Sequence, residues 1–422
     1  MANAISKITA IRGMNDILPE DIGYWHYLES KFRSLAARYG YEEIRTPMVE
    51  ATPLFIRAIG EATDVVEKET YTFNDRNGDS LTLRPEGTAG TVRAGIEHGL
   101  FYHQTQKLWY MGPVFRHERP QKGRYRQFYQ IGIEAFGMNG PDIDIELLLM
   151  TWRLWQELGL DKGLILHINT LGLPEERQEY QAVLVEYFEK NFEALDEDSQ
   201  RRLKKNALRI LDSKNPAMKS LLDNAPSIET FMGTESKYHF ETIQHAVKKA
   251  GIPFQVNPRL VRGLDYYCHT VFEWVTDALG AQGAVCAGGR YDKLVEQMGG
   301  DSTPAVGFAM GMERLILLLQ QQNLALENKV DVYLMSVGES ARAEALFLAE
   351  TLRAALPSLR IVNYCGAGNI KAQFKKADKS GAKLALILGD EEMAQGVVTL
   401  KYLREDKPQL SVVRDQLINF LS

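Results

Sequence analysis

Cysteine is scarce in this chain: three residues in 422, Cys268, Cys286 and Cys365, with no Cys-x-x-Cys pair. That spacing argues against a disulfide framework and a thiolate zinc site, and leaves reduced, partly buried thiols. Long apolar runs are missing as well. None approaches the roughly 20 residues that cross a bilayer, and Met1-Ala2-Asn3-Ala4-Ile5-Ser6-Lys7 lacks the apolar core of a signal peptide. No membrane partner and a cytoplasmic location are therefore expected. Excess positive charge is absent too: the formal net charge is −6, whereas domains that coat nucleic acid by bulk attraction are strongly basic. Any RNA contact must then use local patches. No Gly-x-x-x-x-Gly-Lys-Ser/Thr loop and no Gly-x-Gly-x-x-Gly run occurs, which disfavours Walker-type and dinucleotide-binding folds.

The chain does have apolar material, 45% of its residues, enough for the two or three domains that its length implies. Its most informative stretch is Val114 to Gly137. Turn-forming Pro120 and Gly123 separate two strand-like segments, which predicts an antiparallel hairpin. On the second arm Gln130, Gly132 and Glu134 share one face, and Tyr129, Ile131 and Ile133 the other, by the two-residue period of a strand. Arg116, Arg119, Lys122, Arg124 and Arg126 crowd the arms and tip. A carboxylate-bearing floor beside a cationic mouth suits a cationic ligand group next to a polyphosphate. The plainer reading of the same residues is a solvated hairpin.

Upstream, Trp25, Leu28, Phe32, Leu35 and Tyr39 recur at helical spacing over Asp21–Tyr39, and Gly40 ends the helix. Tyr41 to Pro47 reads as a strand closed by proline at a sheet edge or strand end. Ser80 to Arg84 alternates as a strand, and Pro85 stops it. Glu86-Gly87-Thr88 then opens a helix, with Glu86 as a first-turn acid and Thr88 as a cap. Pro141–Leu158 reads as helix and Gly163–Asn169 as strand, with His167 structural. From Leu173 to about Gly251 the chain is charge-rich and helical, with Tyr180, Leu184, Tyr187, Phe188 and Phe192 in register, and reads as an insertion.

Leu260-Val261-Arg262-Gly263-Leu264-Asp265-Tyr266-Tyr267 precedes a strand-like Thr270–Trp274. Taken alone, it would pair Arg262 with Asp265 and bury the tyrosines. Ala287-Gly288-Gly289-Arg290-Tyr291-Asp292 is glycine-rich, and Ala305–Leu315 gives a short strand and glycines opening a helix. Gln320 to Lys329 is polar and reads as a linker. Beyond it Val330–Met335, Ser340–Leu356, Arg360–Tyr364 and Ala382–Gly389 alternate strand and helix, the pattern of a small α/β domain with right-handed crossovers. There Lys371, Lys375 and Lys379 share a helix face, with Lys376 and Lys383 nearby, as a solvated face or an RNA contact.

Phe115-Arg116-His117-Glu118-Arg119 followed by Arg124-Tyr125-Arg126-Gln127-Phe128 resembles the second signature motif of class II aminoacyl-tRNA synthetases. Gln130 with Glu134 narrows the resemblance to histidyl-tRNA synthetases. The Thr82–Thr88, Leu260–Tyr267, Ala287–Asp292 and Ala305–Leu315 runs follow in that family's order, over nearly the whole length. The resemblance implies an α+β fold: an antiparallel-sheet catalytic domain flanked by helices (1–325), interrupted by a helical insertion (173–253), and an α/β anticodon-binding domain (330–422). Leu211-Asp212-Ser213-Lys214-Asn215-Pro216 is similar to a run in the family's insertion, which reaches toward the tRNA acceptor arm. Pro47, after its long helix, is similar to the first motif, at the dimer interface, so a homodimer is implied.

The implied reaction is ligation of L-histidine to the 3′ end of tRNA-His through a histidyl-adenylate. ATP with Mg2+ is consumed, and AMP and pyrophosphate are released. The histidine pocket would be formed by Glu86, Gly87, Thr88, Arg116, Gln130, Glu134, Arg262, Tyr266, Tyr267 and Tyr291. Glu86 and Thr88 would hold the α-ammonium group, and Glu134 and Tyr267 the ring nitrogens. ATP would meet Arg116, Glu118, Arg124, Phe128 and Arg314, its adenine sandwiched between Phe128 and Arg314. Arg262 and Arg116 are the expected catalytic residues, Arg262 substituting for a cation that other class II enzymes bind. No side chain is assigned to a metal. Arg119 and Gln121 match residues at the tRNA acceptor end by position only.

Two rivals share these motifs. One is a non-catalytic, histidine-binding regulatory paralogue of the ATP phosphoribosyltransferase complex, a type that typically lacks the C-terminal domain and varies at the arginines. The other is a ligase using adenylate chemistry on a non-tRNA acceptor.

Overall fold

The hairpin arms are Gln106–Phe115 and Gln127–Phe136, so the first begins well before Val114. Trp109, Ile131 and Ile133 bury one of its faces, in a core shared with Trp25, Leu28, Phe32 and Leu35 of the helix Ile22–Arg38 and with the helix Pro141–Leu158. Burial of that face leaves Gln130, Gly132 and Glu134 on the other, as alternation requires. This computed structural model describes residues 7–422 except 61, 62, 263, 265, 325, 327–329 and 367, and also leaves out the side chains of 281 and 282. The opening Met1–Ser6, Gly263, Asp265 and, from the polar stretch before Val330, residues 325 and 327–329 thus lie outside the described residues.

The chain divides into two compact units, Met1–Leu324 and Ala325–Ser422. The first is built on an eight-stranded sheet. Its order is Glu42–Glu43, Gln106–Phe115, Gln127–Phe136, Ala305–Gly311, Ala284–Arg290, Cys268–Val275, Ile165–Thr170 and Phe254–Val256. The inner pairings are antiparallel and the two edge pairings parallel. The strand read over Tyr41–Pro47 is only Glu42–Glu43. Strands distant in sequence become neighbours because Ala305–Gly311 inserts beside the second hairpin arm, setting Gly307 opposite Glu134. The helix Thr234–Lys249 packs Phe240, Ile243 and Val247 into the same core as Pro141–Leu158. Of the expected insertion pattern Tyr180, Leu184 and Phe188 are buried, whereas the helix stops at Lys190 and Phe192 is exposed.

Behind the sheet sits a buried ion pair that the sequence reading did not anticipate. Arg290 and Asp144, both 1% exposed, are in direct contact. Arg290 also donates from Nη1 to the Met138 carbonyl at 3.0 Å and to Asp292 at 3.2 Å, and from Nη2 to the Gly140 carbonyl at 2.9 Å. Glycine-rich Ala284–Arg290 is therefore a strand pinned to the start of the Pro141–Leu158 helix. Breaking a fully bonded buried pair by removing one partner leaves an uncompensated charge. Asp144→Ala is expected to lower stability by about 3–5 kcal/mol, read as a fall in the urea midpoint at unchanged slope.

The second unit carries a five-stranded sheet in the order Ile361–Asn363, Val332–Ser336, Leu384–Leu388, Val397–Tyr402, Leu410–Val413. The first three are parallel, joined through the helices Glu339–Ala355 and Ile370–Lys379; the last two are antiparallel and were not anticipated. Lys371, Lys375, Lys376 and Lys379 are exposed. Lys376 lies 4.9 Å from the Tyr364 ring centroid and Lys383 3.4 Å from Asp331.

Candidate active site

The polar face of the hairpin floors a cleft of about 290 Å³. Its lining brings together Glu86, Thr88, Arg116, Glu118, Arg124, Phe128, Gln130, Glu134, Arg262, Tyr266, Tyr267, Tyr291 and Arg314. Gly87 lies behind the lining, and Arg119 and Gln121 are exposed at the hairpin tip, outside it. Five widely separated stretches thus converge because the sheet order interleaves them.

Glu134 is 1% exposed. Its Oε1 accepts from Thr88 Oγ1 at 2.7 Å and its Oε2 from the Tyr291 hydroxyl. Burial, helped by the neighbouring Glu86 charge, pushes its carboxyl up to about 8, against the two hydroxyl donors. Gly307 makes room for it: a Cβ there would stand 2.0 Å from Glu134 Oε2. Tyr266, Tyr267 and Tyr291 form a wall with ring centroids 4.6–6.3 Å apart. Gln130 Oε1 is buried without a hydrogen-bond partner among the described residues.

The sign of the Glu134 shift makes a pH prediction. The folded protein keeps a proton that the unfolded chain releases above the ordinary glutamate value of 4.5. The stability linked to this group is therefore full below 4.5, falls as pH rises to about 8, and is flat beyond. Glu134→Gln should remove that decline, so its urea midpoint should gain on the parent's between pH 5 and pH 8.

Thr88 does not act as the cap expected of it. The helix Thr88–Glu97 starts after Gly87, and the Glu86 carboxylate accepts from Thr88 N at 2.6 Å and Ala89 N at 2.9 Å. An acid at a helix start is favoured there by the unpaired N–H groups and the dipole. The Thr88 hydroxyl is freed to bridge toward Glu134. Burial raises the Glu86 carboxyl, opposed by those backbone donors and by Arg116.

The cations line the other end. Arg116 donates from Nε to the Pro85 carbonyl at 2.9 Å, and its guanidinium carbon lies 5.5 Å from the Phe128 ring centroid. Arg124 pairs with Glu118. Arg262 pairs through Nη1 with Glu273 at 2.6 Å, while Asp265, the partner the isolated run suggests, lies outside the described residues; the buried Nε of Arg262 has no partner among the described residues. Arg314 donates from Nε to the Gly123 carbonyl at 3.0 Å and from Nη1 to the Ala284 carbonyl, tying the hairpin tip to the neighbouring strand.

Three residues of the site were missed. Glu273 is the one acid in the strand Cys268–Val275, flanked by Phe272 and Trp274, the same kind of signal that exposed Glu134. Glu313 lines the cleft, and burial pushes its carboxyl up to about 7 while it accepts from Tyr129 N at 2.9 and 3.1 Å. Tyr110 is wedged between glycines: a Cβ on Gly87 or Gly132 would come within 2.2 or 2.1 Å of its ring.

A buried acid and a ring of arginines on an antiparallel sheet, with a separate α/β unit after it, define a class II aminoacyl-tRNA synthetase. The histidyl-tRNA synthetase profile matches residues 13–315, and an anticodon binding domain profile matches 331–422. The apo histidyl-tRNA synthetase of S. aureus is 36% identical with a TM-score of 0.82, over 98% of this chain and 99% of that one. The chain belongs to the histidyl-tRNA synthetase family and is a histidine–tRNA ligase. More distant structures share the fold. A histidyl-tRNA synthetase from Nostoc sp. is 21% identical, TM-score 0.69, over 98% and 99% of the two chains. An ATP phosphoribosyltransferase regulatory subunit/histidyl-tRNA synthetase from Bacillus halodurans is 20% identical, TM-score 0.65, over 92% and 99%. No described helix is long and apolar enough to cross a membrane.

Proposed function

We propose that the cleft binds L-histidine and ATP, forms histidyl-adenylate, and passes the histidyl group to the 3′ end of tRNA-His. The observation that carries this is the pairing of a buried, raised acid, Glu134, with Arg116 and Arg262 in one cleft. An imidazole nitrogen and Glu134 share one proton at neutral pH, whichever of them holds it beforehand. Tyr267 meets the second nitrogen, and Tyr266 and Tyr291 close the wall. Glu86, Thr88 and Gln130 accept from the α-ammonium group, Thr88 while still donating to Glu134.

A histidine carboxylate oxygen then attacks the α-phosphorus of ATP, and the bond to the bridging oxygen breaks as pyrophosphate leaves. Arg116 and Arg262 face the α-phosphate, Arg124 the distal phosphates, and Phe128 and Arg314 the adenine. Fixed charges and positioning supply the rate, with no protein nucleophile. The 3′-hydroxyl of tRNA next attacks the carbonyl carbon of the adenylate, and AMP leaves. Mg2+ bound with ATP would neutralise charge on its phosphates. No protein side chain is assigned to it.

The rest of the reading follows the same family. Residues 1–325 are the catalytic domain with 173–253 as its insertion, and 330–422 bind the anticodon, with exposed Lys371, Lys375 and Lys379 as RNA contacts. Exposed Met48, Val49, Ile56 and Phe73 support a homodimer through the region after Pro47. The cytoplasm is the compartment.

Pyrophosphate exchange with each amino acid, followed by charging of unfractionated tRNA, tests the proposal. Exchange with histidine alone and histidine accepted by tRNA are expected. Histidine binding without exchange would mark a regulatory paralogue, and exchange without charging a ligase for another acceptor.

A further inference from the structure

The segment that carries Arg262 has two sides. Beyond the cleft already described lies a second, of about 220 Å³, that shares Arg262, Leu264 and Tyr267 as a wall. Arg177, Lys205 and Arg209 make its other side cationic. Arg177 donates to the Tyr267 carbonyl, whereas Lys205 and Arg209, with Arg202 outside the lining, are held by carboxylates from far away in the chain. Lys205 pairs with Glu67, and Arg209 and Arg202 meet Asp64 at 3.1 and 3.3 Å. The Lys205–Glu67 pair is open to water, its side chains 46% and 30% exposed, and the Asp64 side chain is 29% exposed against 15% for Arg209. Exposed pairs of this kind contribute little to stability. They do occupy the donors that phosphate oxygens would take.

We propose that the second cleft takes backbone phosphates of the tRNA acceptor strand, and that Asp64 and Glu67 are place-holders displaced from Arg202, Lys205 and Arg209 when it enters. The proposal rests on the synthetase reading of the neighbouring cleft. A strand whose 3′-hydroxyl must reach an adenylate beside Arg262 leaves along the other side of the same wall. Its phosphates then meet the cations gathered there. On a chain of net charge −6 the place-holders keep the patch locally neutral until a strand is seated, which discounts indiscriminate polyanions and favours product release.

The test compares the full chain with Asp64→Asn/Glu67→Gln and with Lys205→Gln, measuring the tRNA KM in charging and histidine-dependent pyrophosphate exchange. Exchange should be unchanged in both variants. The double variant should lower the tRNA KM by about two- to fivefold, and Lys205→Gln should raise it by a similar factor. A double variant with a raised or unmoved KM and intact exchange overturns the place-holders, and an unmoved KM in Lys205→Gln overturns the phosphate site. Half-exposed Lys205 tolerates substitution, so its variant decides the matter even where the double variant does not fold. Absence of exchange in the unaltered protein would instead sink the synthetase reading, and the proposal with it.

Discussion

Glu134→Ala is expected to lower histidine-dependent pyrophosphate exchange by about three to four powers of ten, while leaving the protein folded. A site built to hydrogen-bond one polar group discriminates by factors of about 10⁴ because its partners are otherwise left unpaired. Here the same logic runs in reverse. Without Glu134, a bound imidazole loses the group with which it shares a proton, and the Thr88 and Tyr291 hydroxyls each lose an acceptor oxygen. Folding should survive because a buried carboxyl raised to about 8 is no stabiliser at neutral pH. Circular dichroism and the urea midpoint check the fold, and exchange checks the chemistry. Exchange near the parent rate would refute the assignment of Glu134 to the ring.

Arg262→His should slow adenylate formation by about a hundred- to a thousandfold and leave histidine affinity largely intact. Removing one preorganised donor aimed at developing charge has an effect of that order. Histidine is shorter, not a five-donor fork, and largely uncharged at neutral pH. Glu273, now bonded to Arg262 at 2.6 Å, would be left facing the phosphates as an unpaired anion. Single-turnover kinetics measure the rate, and calorimetry measures histidine binding in the absence of ATP. A rate loss matched by an equal loss of histidine affinity would mean that Arg262 holds the bound amino acid and contributes nothing specific to the transition state.

The hairpin was legible in the sequence because its polar face interrupts an apolar run at a period of two, and burial of Ile131 and Ile133 forces Gln130 and Glu134 to the other side. The convergence of Glu86, Glu134, Arg262 and Arg314 was legible only through the order of the motifs. The insertion of Ala305–Gly311 beside the second arm, which brings them together, leaves no local mark. Pairings across great sequence distance were hidden for the same reason. Arg290 meets Asp144 and Glu313 meets Tyr129 N over separations of 146 and 184 residues. Each of these side chains, read locally, is an ordinary charge beside a glycine-rich strand or in a first helical turn. Val397–Tyr402 and Leu410–Val413 escaped because they are antiparallel additions to a domain whose signal is strand–helix alternation, and every residue of Leu410–Val413 is exposed or half-buried.

The most direct measurement is a crystal structure with histidinol and ATP bound together. The expected result places an imidazole nitrogen within hydrogen-bonding distance of Glu134, the α-phosphate between Arg116 and Arg262, and adenine between Phe128 and Arg314. Histidinol bound away from Glu134, or a triphosphate seated outside the arginine-lined end of the cleft, would contradict the account.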